Sequence, residues 1–243
     1  MNEDANATVV ALPDHVDIAI IGGGPAGNTA ATTAARLGAE VTLIERDIVG
    51  GAAHLWDCIP SKAMIATAGA MGYIDRSTGM GLSDTTVGLD FDMLRSRIHQ
   101  IEAKLEDNSV SLLESQGVRL VKGTGKLLDA HHVEVTPAEG GGVPYTLEAD
   151  TVLLSTGSRP RIPDWAEVDG HRILTTRDAY PPHEMPEHLV VVGSGVTGVE
   201  FVHMFSSLGS EVSLIVSRQQ VLPQKDPEVA AALEHELLGR GVN

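Results

Sequence analysis

Residues 18–45 read IAIIGGGPAGNTAATTAARLGAEVTLIE, and residues 189–216 read LVVVGSGVTGVEFVHMFSSLGSEVSLIV. The second stretch repeats the first at a constant offset. Gly22, Gly24 and Gly27 answer to Gly193, Gly195 and Gly198, Gly38 answers to Gly209, and Glu40-Val41 answers to Glu211-Val212. Each copy runs from a β-branched apolar segment through G-x-G-x-x-G into a helical stretch that ends at glycine, then into a second apolar run. That order predicts strand, tight turn, helix, strand.

The glycines have a chemical reason. The first permits the turn out of the strand, the second lets backbone approach a pyrophosphate, and the third lets the helix pack close to the sheet. The helix N-terminus then offers unpaired N–H groups and the positive end of its dipole to phosphate. Ala31 and Ala35 keep the first helix slim where it faces the sheet. The first copy ends in Glu45, placed for a carboxylate to accept both ribose hydroxyls, with Arg46 beside it. The second copy has Val216 there, followed by Ser217 and Arg218. Without a carboxylate a 2′-phosphate is not repelled, and Arg218 either pairs with it or stands as a solvated loop arginine. Two dinucleotide sites in one chain suggest a flavin in one and a nicotinamide donor, NADPH or NADH, in the other. The loop residues Pro25, Ala26 and Val196 are cofactor-binding candidates with the glycines.

Composition narrows the remaining classes. The 243 residues carry 17 Lys and Arg against 33 Asp and Glu, a net charge of −16, so no basic surface for a nucleic-acid backbone is expected. Aromatics are 3% of the chain, too few for a base-stacking platform. One cysteine rules out a disulfide framework within the chain, and none of the 10 histidines shows metal-ligand spacing; His131-His132 read as opposite faces of a strand. Residues 1–17 are polar and acidic, with no basic start leading into an apolar core, and no apolar run reaches the roughly 18 residues of a membrane span. A cytoplasmic protein is expected.

After Glu45 the chain continues Val49-Gly50-Gly51-Ala52-Ala53-His54-Leu55-Trp56-Asp57-Cys58-Ile59-Pro60-Ser61-Lys62. This resembles the flavoprotein disulfide reductases, whose pattern there is G-G-x-C-x-x-x-x-C-I-P-S-K. Residues 152–163, VLLSTGSRPRIP, resemble the same family's strand-T-G-S-x-P segment. The resemblance implies FAD on the first unit, with Gly51, Ala52, Ser155, Thr156 and Gly157 added to its contacts, and NAD(P)H on the second. It implies Gly125 in a turn that passes the adenosine. It also implies that Lys62 lies near flavin N5 and pairs with Glu200, a cation that would stabilise charge on the reduced flavin.

The departure is Ala53, where the family's first redox cysteine belongs, while Cys58 matches the second. One thiol cannot form an intramolecular disulfide, so disulfide reductase chemistry should be absent. The pattern is similar to a subgroup of NAD(P)H:quinone reductases. The nearest rivals are the soluble transhydrogenases, which share the tryptophan matched by Trp56, and a truncated flavin-binding module without turnover. Cys58 precedes Pro60 near a helix start, so it reads either as a thiolate against the flavin or as a packed small hydrophobe.

The expected fold is therefore α/β, with two Rossmann-like units. The first, 1–163, is an FAD-binding domain carrying a β-meander insertion. The second, 164–243, is an NAD(P)-binding domain that is incomplete and should expose apolar sheet surface. Helices are expected over 60–71, 91–116 and 226–240, a loop over 72–90, a short strand at 118–121 with a turn at Gly123-Thr124-Gly125, a meander over 127–154 broken at Gly140-Gly141-Gly142, and an irregular crossover over 164–188. Family members are about twice this length. Their C-terminal half completes the nicotinamide domain and builds a homodimer, and in the disulfide reductases it adds a histidine–glutamate pair from the partner. The acceptor expected here is a quinone-like small molecule.

Overall fold

The computed structural model describes residues 14–83, 86–138 and 142–243. The opening residues 1–13 and the Gly140-Gly141 break lie outside the described residues. In chain order the elements are β1 (His15–Ile21), α1 (Pro25–Arg36), β2 (Val41–Glu45), a short α2 (Gly51–Leu55), α3 (Cys58–Asp75), α4 (Phe91–Ser115), β3 (Arg119–Leu127), β4 (His132–Pro137), β5 (Tyr145–Leu154), β6 (His188–Val192), α5 (Val196–Ser207), β7 (Glu211–Ile215) and α6 (Pro227–Gly239). They pack as two compact units. One takes the chain up to Ala53 together with Lys104–Arg159; the other takes His54–Ala103 together with Pro160–Asn243. This packing division and the motif-based division after Pro163 are different cuts of the same chain.

In the first unit β1 pairs in parallel with β2 and β5, and β2 in parallel with β3. The outer ends of β3 and β5 then pair antiparallel with β4, so the five strands close on themselves. Period-two alternation sorts the apolar residues. Ile20 and Leu43 pack with Val41, Ala31 and Leu113 on the helix side, while Ile21 and Ile44 pack with Val121, Val133, Val135 and Leu147 on the meander side. β2 is buried along its whole length, which is why it reads as a continuous apolar run. Ala31 is fully buried and Ala35 packs partly against the same cluster.

In the second unit β6 and β7 form a two-stranded parallel sheet with α5 as the crossover between them. Val202, Met204 and Phe205 of α5, Met64 of α3, Ile98 of α4, Val212 of β7 and Leu237 of α6 make one core. A side chain buried in this way contributes about 1.5–3 kcal/mol.

Several local expectations change. Gly123-Thr124-Gly125 is not a turn but the middle of β3. A Cβ on Gly123 would stand 2.4 Å from the Thr136 carbonyl oxygen, and one on Gly125 3.2 Å from the Ile21 side chain, so these glycines serve close strand and core approach. The helix expected over 60–71 begins at Cys58 and runs to Asp75, into the expected loop, because Ala63, Met64 and Ala68 bury one face of it. α4 appears as expected, but Met93 is 70% exposed and Leu112 50%, while Leu94, Ile98 and Leu113 carry the buried face. His131 lies just before β4, its Nδ1 3.0 Å from the Ala149 carbonyl; His132 opens β4 and meets Asp129. No helix among the described residues is long and apolar enough to cross a membrane.

Candidate functional site: two glycine loops and a charge pair

The first loop leaves β1 at Gly22, whose φ of +106° suits glycine, and the Gly22 N–H donates to the Ile44 carbonyl at 2.9 Å. A Cβ on Gly22 would lie 2.3 Å from the Ser155 carbonyl oxygen, and one on Gly27 would lie 1.9 Å from the Gly22 carbonyl oxygen. The third glycine thus lets the first helical turn close onto the loop itself. Gly24 is different: nothing lies within 4 Å of the position its Cβ would take. Gly50 donates its N–H to the Gly23 carbonyl at 2.7 Å, which brings Gly51 against Gly24 and Ala52 after it.

Glu45, at the end of β2, is 8% exposed and tied at both oxygens. Oε2 accepts the Gly23 N–H at 2.6 Å, and Oε1 accepts the Asp47 N–H at 2.7 Å. The sequence led to the expectation of a ribose carboxylate at Glu45; that this carboxylate closes the glycine loop depends on a backbone contact with no sequence signal. Arg46 is exposed and pairs with Asp47 at 3.4 Å, and Lys122 donates to the Asp47 carbonyl. On the other side, Ser155 N–H bonds the Ile21 carbonyl at 2.8 Å. Pro25, Ala26, Leu153, Leu154, Ser155, Thr156 and Gly157 line a cleft of about 340 Å³.

These residues fit a dinucleotide. α1 starts without a side-chain cap and without an acidic residue in its first turn, leaving its N–H groups to an anion. The space outside Gly24 is open for a diphosphate.

The second loop repeats this geometry in its own unit. Gly193 has φ +116° and donates to the Ile215 carbonyl at 3.1 Å. A Cβ on Gly198 would again lie 1.9 Å from the carbonyl oxygen of the first glycine, while nothing stands within 4 Å of one on Gly195. α5 likewise opens with no side-chain cap and no acid in its first turn, with Val196 58% exposed at its start. Arg218 is exposed just beyond β7. The residues present fit a second dinucleotide.

Within the same unit Lys62 Nζ donates to Glu200 Oε1 at 2.8 Å and to Ser61 Oγ at 3.2 Å, and Ser61 Oγ donates to the Cys58 carbonyl at 3.1 Å. The sequence placed Lys62 and Glu200 together only through a motif resemblance; α3 and α5 bring them into contact. Cys58 is the first residue of α3 and is exposed, which removes the packed-hydrophobe reading. Sequence reasoning missed Tyr180, a buried residue whose ring stacks on Phe201 at 4.7 Å, next in sequence to Glu200. Burial pushes the Tyr180 phenol well above its ordinary range, and the negative groups of Glu200, Asp57 and Cys58 push it further. It stays neutral at any physiological pH.

Residues 16–243 match the family described as pyridine nucleotide-disulphide oxidoreductase. The chain belongs to this family. Among relatives in it, a protein named NAD(P)H dehydrogenase (quinone) from Mycobacterium tuberculosis is 41% identical over 242 aligned positions, covering 93% of this chain and 48% of that protein. A dihydrolipoyl dehydrogenase from Zymomonas mobilis is 33% identical over 231 positions, covering 95% of this chain and 49% of that protein. The crystal structure of LpdA from M. tuberculosis superposes with a TM-score of 0.84 at 39% identity, over 93% of this chain and 50% of LpdA. This member of the family therefore spans about half the length of the curated relatives it matches. Its α/β architecture is the Rossmann-like one of that family, as the paired glycine loops led one to expect.

Proposed function

We propose that this chain serves an FAD-dependent oxidoreductase that takes hydride from NADPH or NADH and passes the electrons to a quinone-like acceptor without a redox disulfide. The observation that carries the reading is the Lys62–Glu200 pair, closed at 2.8 Å beside a helix whose only thiol, Cys58, has Ala53 where a partner cysteine would be. The relative named NAD(P)H dehydrogenase (quinone) supports the choice of acceptor.

Bound FAD supplies the capacity to take two electrons from a nicotinamide and give them to a second acceptor. The chain's residues supply the rest. Gly22, Gly24, Gly27, Pro25 and Ala26, with the α1 N-terminus, hold the FAD diphosphate, and Glu45 holds its ribose. Gly51, Ala52, Ser155, Thr156 and Gly157 bound the same cofactor, with Gly125 and Arg46 as outer candidates. Gly193, Gly195, Val196 and Gly198 hold the nicotinamide diphosphate. Arg218, free of an opposing carboxylate, accepts the 2′-phosphate of NADPH or leaves NADH bound without it. Glu200 holds the Lys62 ammonium in place at 2.8 Å, where it would stabilise negative charge developing on the cofactor. Cys58 is an exposed thiol at a helix start with no partner for disulfide exchange.

The test compares acceptors under one set of conditions, with the FAD-loaded protein and NADPH. Menadione reduction should exceed lipoamide and glutathione disulfide reduction by about a hundredfold or more, since those substrates need a dithiol. Comparable rates with a disulfide would overturn the reading. Fast exchange of hydride to an NAD analogue without quinone would move it to transhydrogenation.

A further inference from the structure

Lys62 and Glu200 face substantial solvent, with side chains 59% and 29% exposed. An ion pair that open is worth little by itself, so attraction alone does not explain one fixed geometry. Packing must supply it. The crossover segment between Pro160 and β6 touches the elements on both sides of the pair, and every residue concerned lies in the same compact unit. The Arg177 guanidinium lies 3.9 Å from the ring centre of Trp56, two residues before α3 begins. Three residues on, Tyr180 is buried and stacks on Phe201 beside Glu200, and Phe201 in turn stacks on Phe205 at 5.8 Å. The segment is itself stiffened. Asp178 Oδ2 accepts both the N–H and the hydroxyl of Thr175, at 3.0 and 2.9 Å, and Arg177 N–H donates to Thr175 Oγ1 at 3.2 Å. Downstream, Arg95 of α4 donates to the carbonyls of Pro182 and His183.

We propose that Arg177 and Tyr180 are positioning residues that together fix the Lys62–Glu200 pair, Arg177 by seating Trp56 ahead of α3 and Tyr180 by seating Phe201 in α5. A planar guanidinium over an indole face and a ring on a ring both restrict rotation as well as distance. In a family scaffold stapled by a cystine, the Ala53–Cys58 stretch would be held covalently; here the cation and the indole hold the turn before Cys58. The consequence for hydride transfer rests on the proposed role of Lys62, but the clamp itself does not.

The experiment measures acylation of Lys62 by peptide mass spectrometry, relative to the exposed Lys225, in the FAD-loaded 243-residue protein and in Arg177→Ala, Arg177→Lys, Tyr180→Leu and Tyr180→Phe. Acrylamide quenching of Trp56 is read alongside, against a constant background from Trp165, which is 72% exposed. Arg177→Ala and Tyr180→Leu should raise Lys62 acylation about threefold or more, and Arg177→Ala should also raise Trp56 quenching. Tyr180→Phe keeps the ring and should match the parent protein; Arg177→Lys, which keeps charge without the plane, should fall between. Lys62 acylation unchanged in Arg177→Ala while Trp56 quenching rises would overturn the proposal, as would a Tyr180→Phe protein that behaves like Tyr180→Leu. If either disruptive variant loses its circular dichroism spectrum, the Phe and Lys variants decide the same question. Flavin bleaching by NADPH is recorded in parallel. A parent protein that does not bleach counts against the proposed function and leaves the acylation result standing, as does bleaching at equal rates in Arg177→Ala and the parent while Lys62 acylation rises; equal rates with unchanged Lys62 acylation count against the clamp.

Discussion

Gly24 and Gly27 belong to one motif but answer to different demands, and their substitutions should separate them. Gly27→Ala puts a Cβ 1.9 Å from the Gly22 carbonyl oxygen, so it should cost about 3 kcal/mol or more and lower the melting temperature of the cofactor-free protein. Gly24→Ala meets nothing within 4 Å, so it should leave that melting temperature nearly unchanged and weaken FAD binding about tenfold, measured by flavin fluorescence titration. At the charge pair, Glu200→Gln should change stability by less than about 1 kcal/mol, because the pair is partly exposed, while slowing NADPH-driven flavin bleaching about tenfold. The glycine turns and the carboxylate closing β2 at Glu45 were legible because motif spacing sets them, and the Lys62–Glu200 pairing was legible only through the family resemblance. Arg177, Tyr180 and the Glu45–Gly23 bond were not, because each depends on where a distant segment packs. Gly125 shows the same limit from the other side: its sequence suggests a turn, and only the Ile21 and Ile44 side chains explain a glycine within a strand.

Elements were legible where apolar periodicity was strong, as in β1, α1, β2, α4 and the repeat β6–α5–β7. Their ends were less so. β3 runs on through two glycines because β4 and β2 both pair with it, and α3 overruns its expected end because the α5 side of the core accepts its face. α6, expected over 226–240, runs over Pro227–Gly239, and Asp226 Oδ1 accepts the Glu228 and Val229 N–H groups. Asp226→Ala should therefore cost about 1 kcal/mol, seen as a lower urea midpoint with an unchanged slope. α4 carries a pH dependence. Burial raises the half-buried Glu102 carboxyl to about 7, against an ordinary value of 4.5. The folded protein then binds a proton there that the unfolded chain releases, so this residue lowers stability as pH rises from about 4.5 through about 7. Glu102→Gln should raise the melting temperature at pH 8 by a degree or two, about the effect of a few tenths of a kcal/mol, and leave it unchanged at pH 4.

At the scale of the whole chain, two glycine-loop repeats and a family resemblance are legible in the sequence, while packing divides the chain differently, with α3 and the first part of α4 joining the second repeat. That regrouping was not legible, because the helix faces that decide it are ordinary amphipathic stripes. The β6–β7 sheet shows Val190 at 52%, Val192 at 60% and Ile215 at 50% exposure, an apolar face of a kind that promotes self-association. Val190→Thr with Val192→Thr should reduce concentration-dependent association in sedimentation velocity while keeping the circular dichroism spectrum. The central claim is that one chain holds a flavin and lets a nicotinamide reduce it. An anaerobic visible spectrum of the FAD-loaded protein, taken before and after NADPH and again after menadione, tests it directly. Bleaching of the flavin by NADPH and its recovery on menadione are the expected results; a bound flavin that never bleaches with NADPH or NADH would contradict the account.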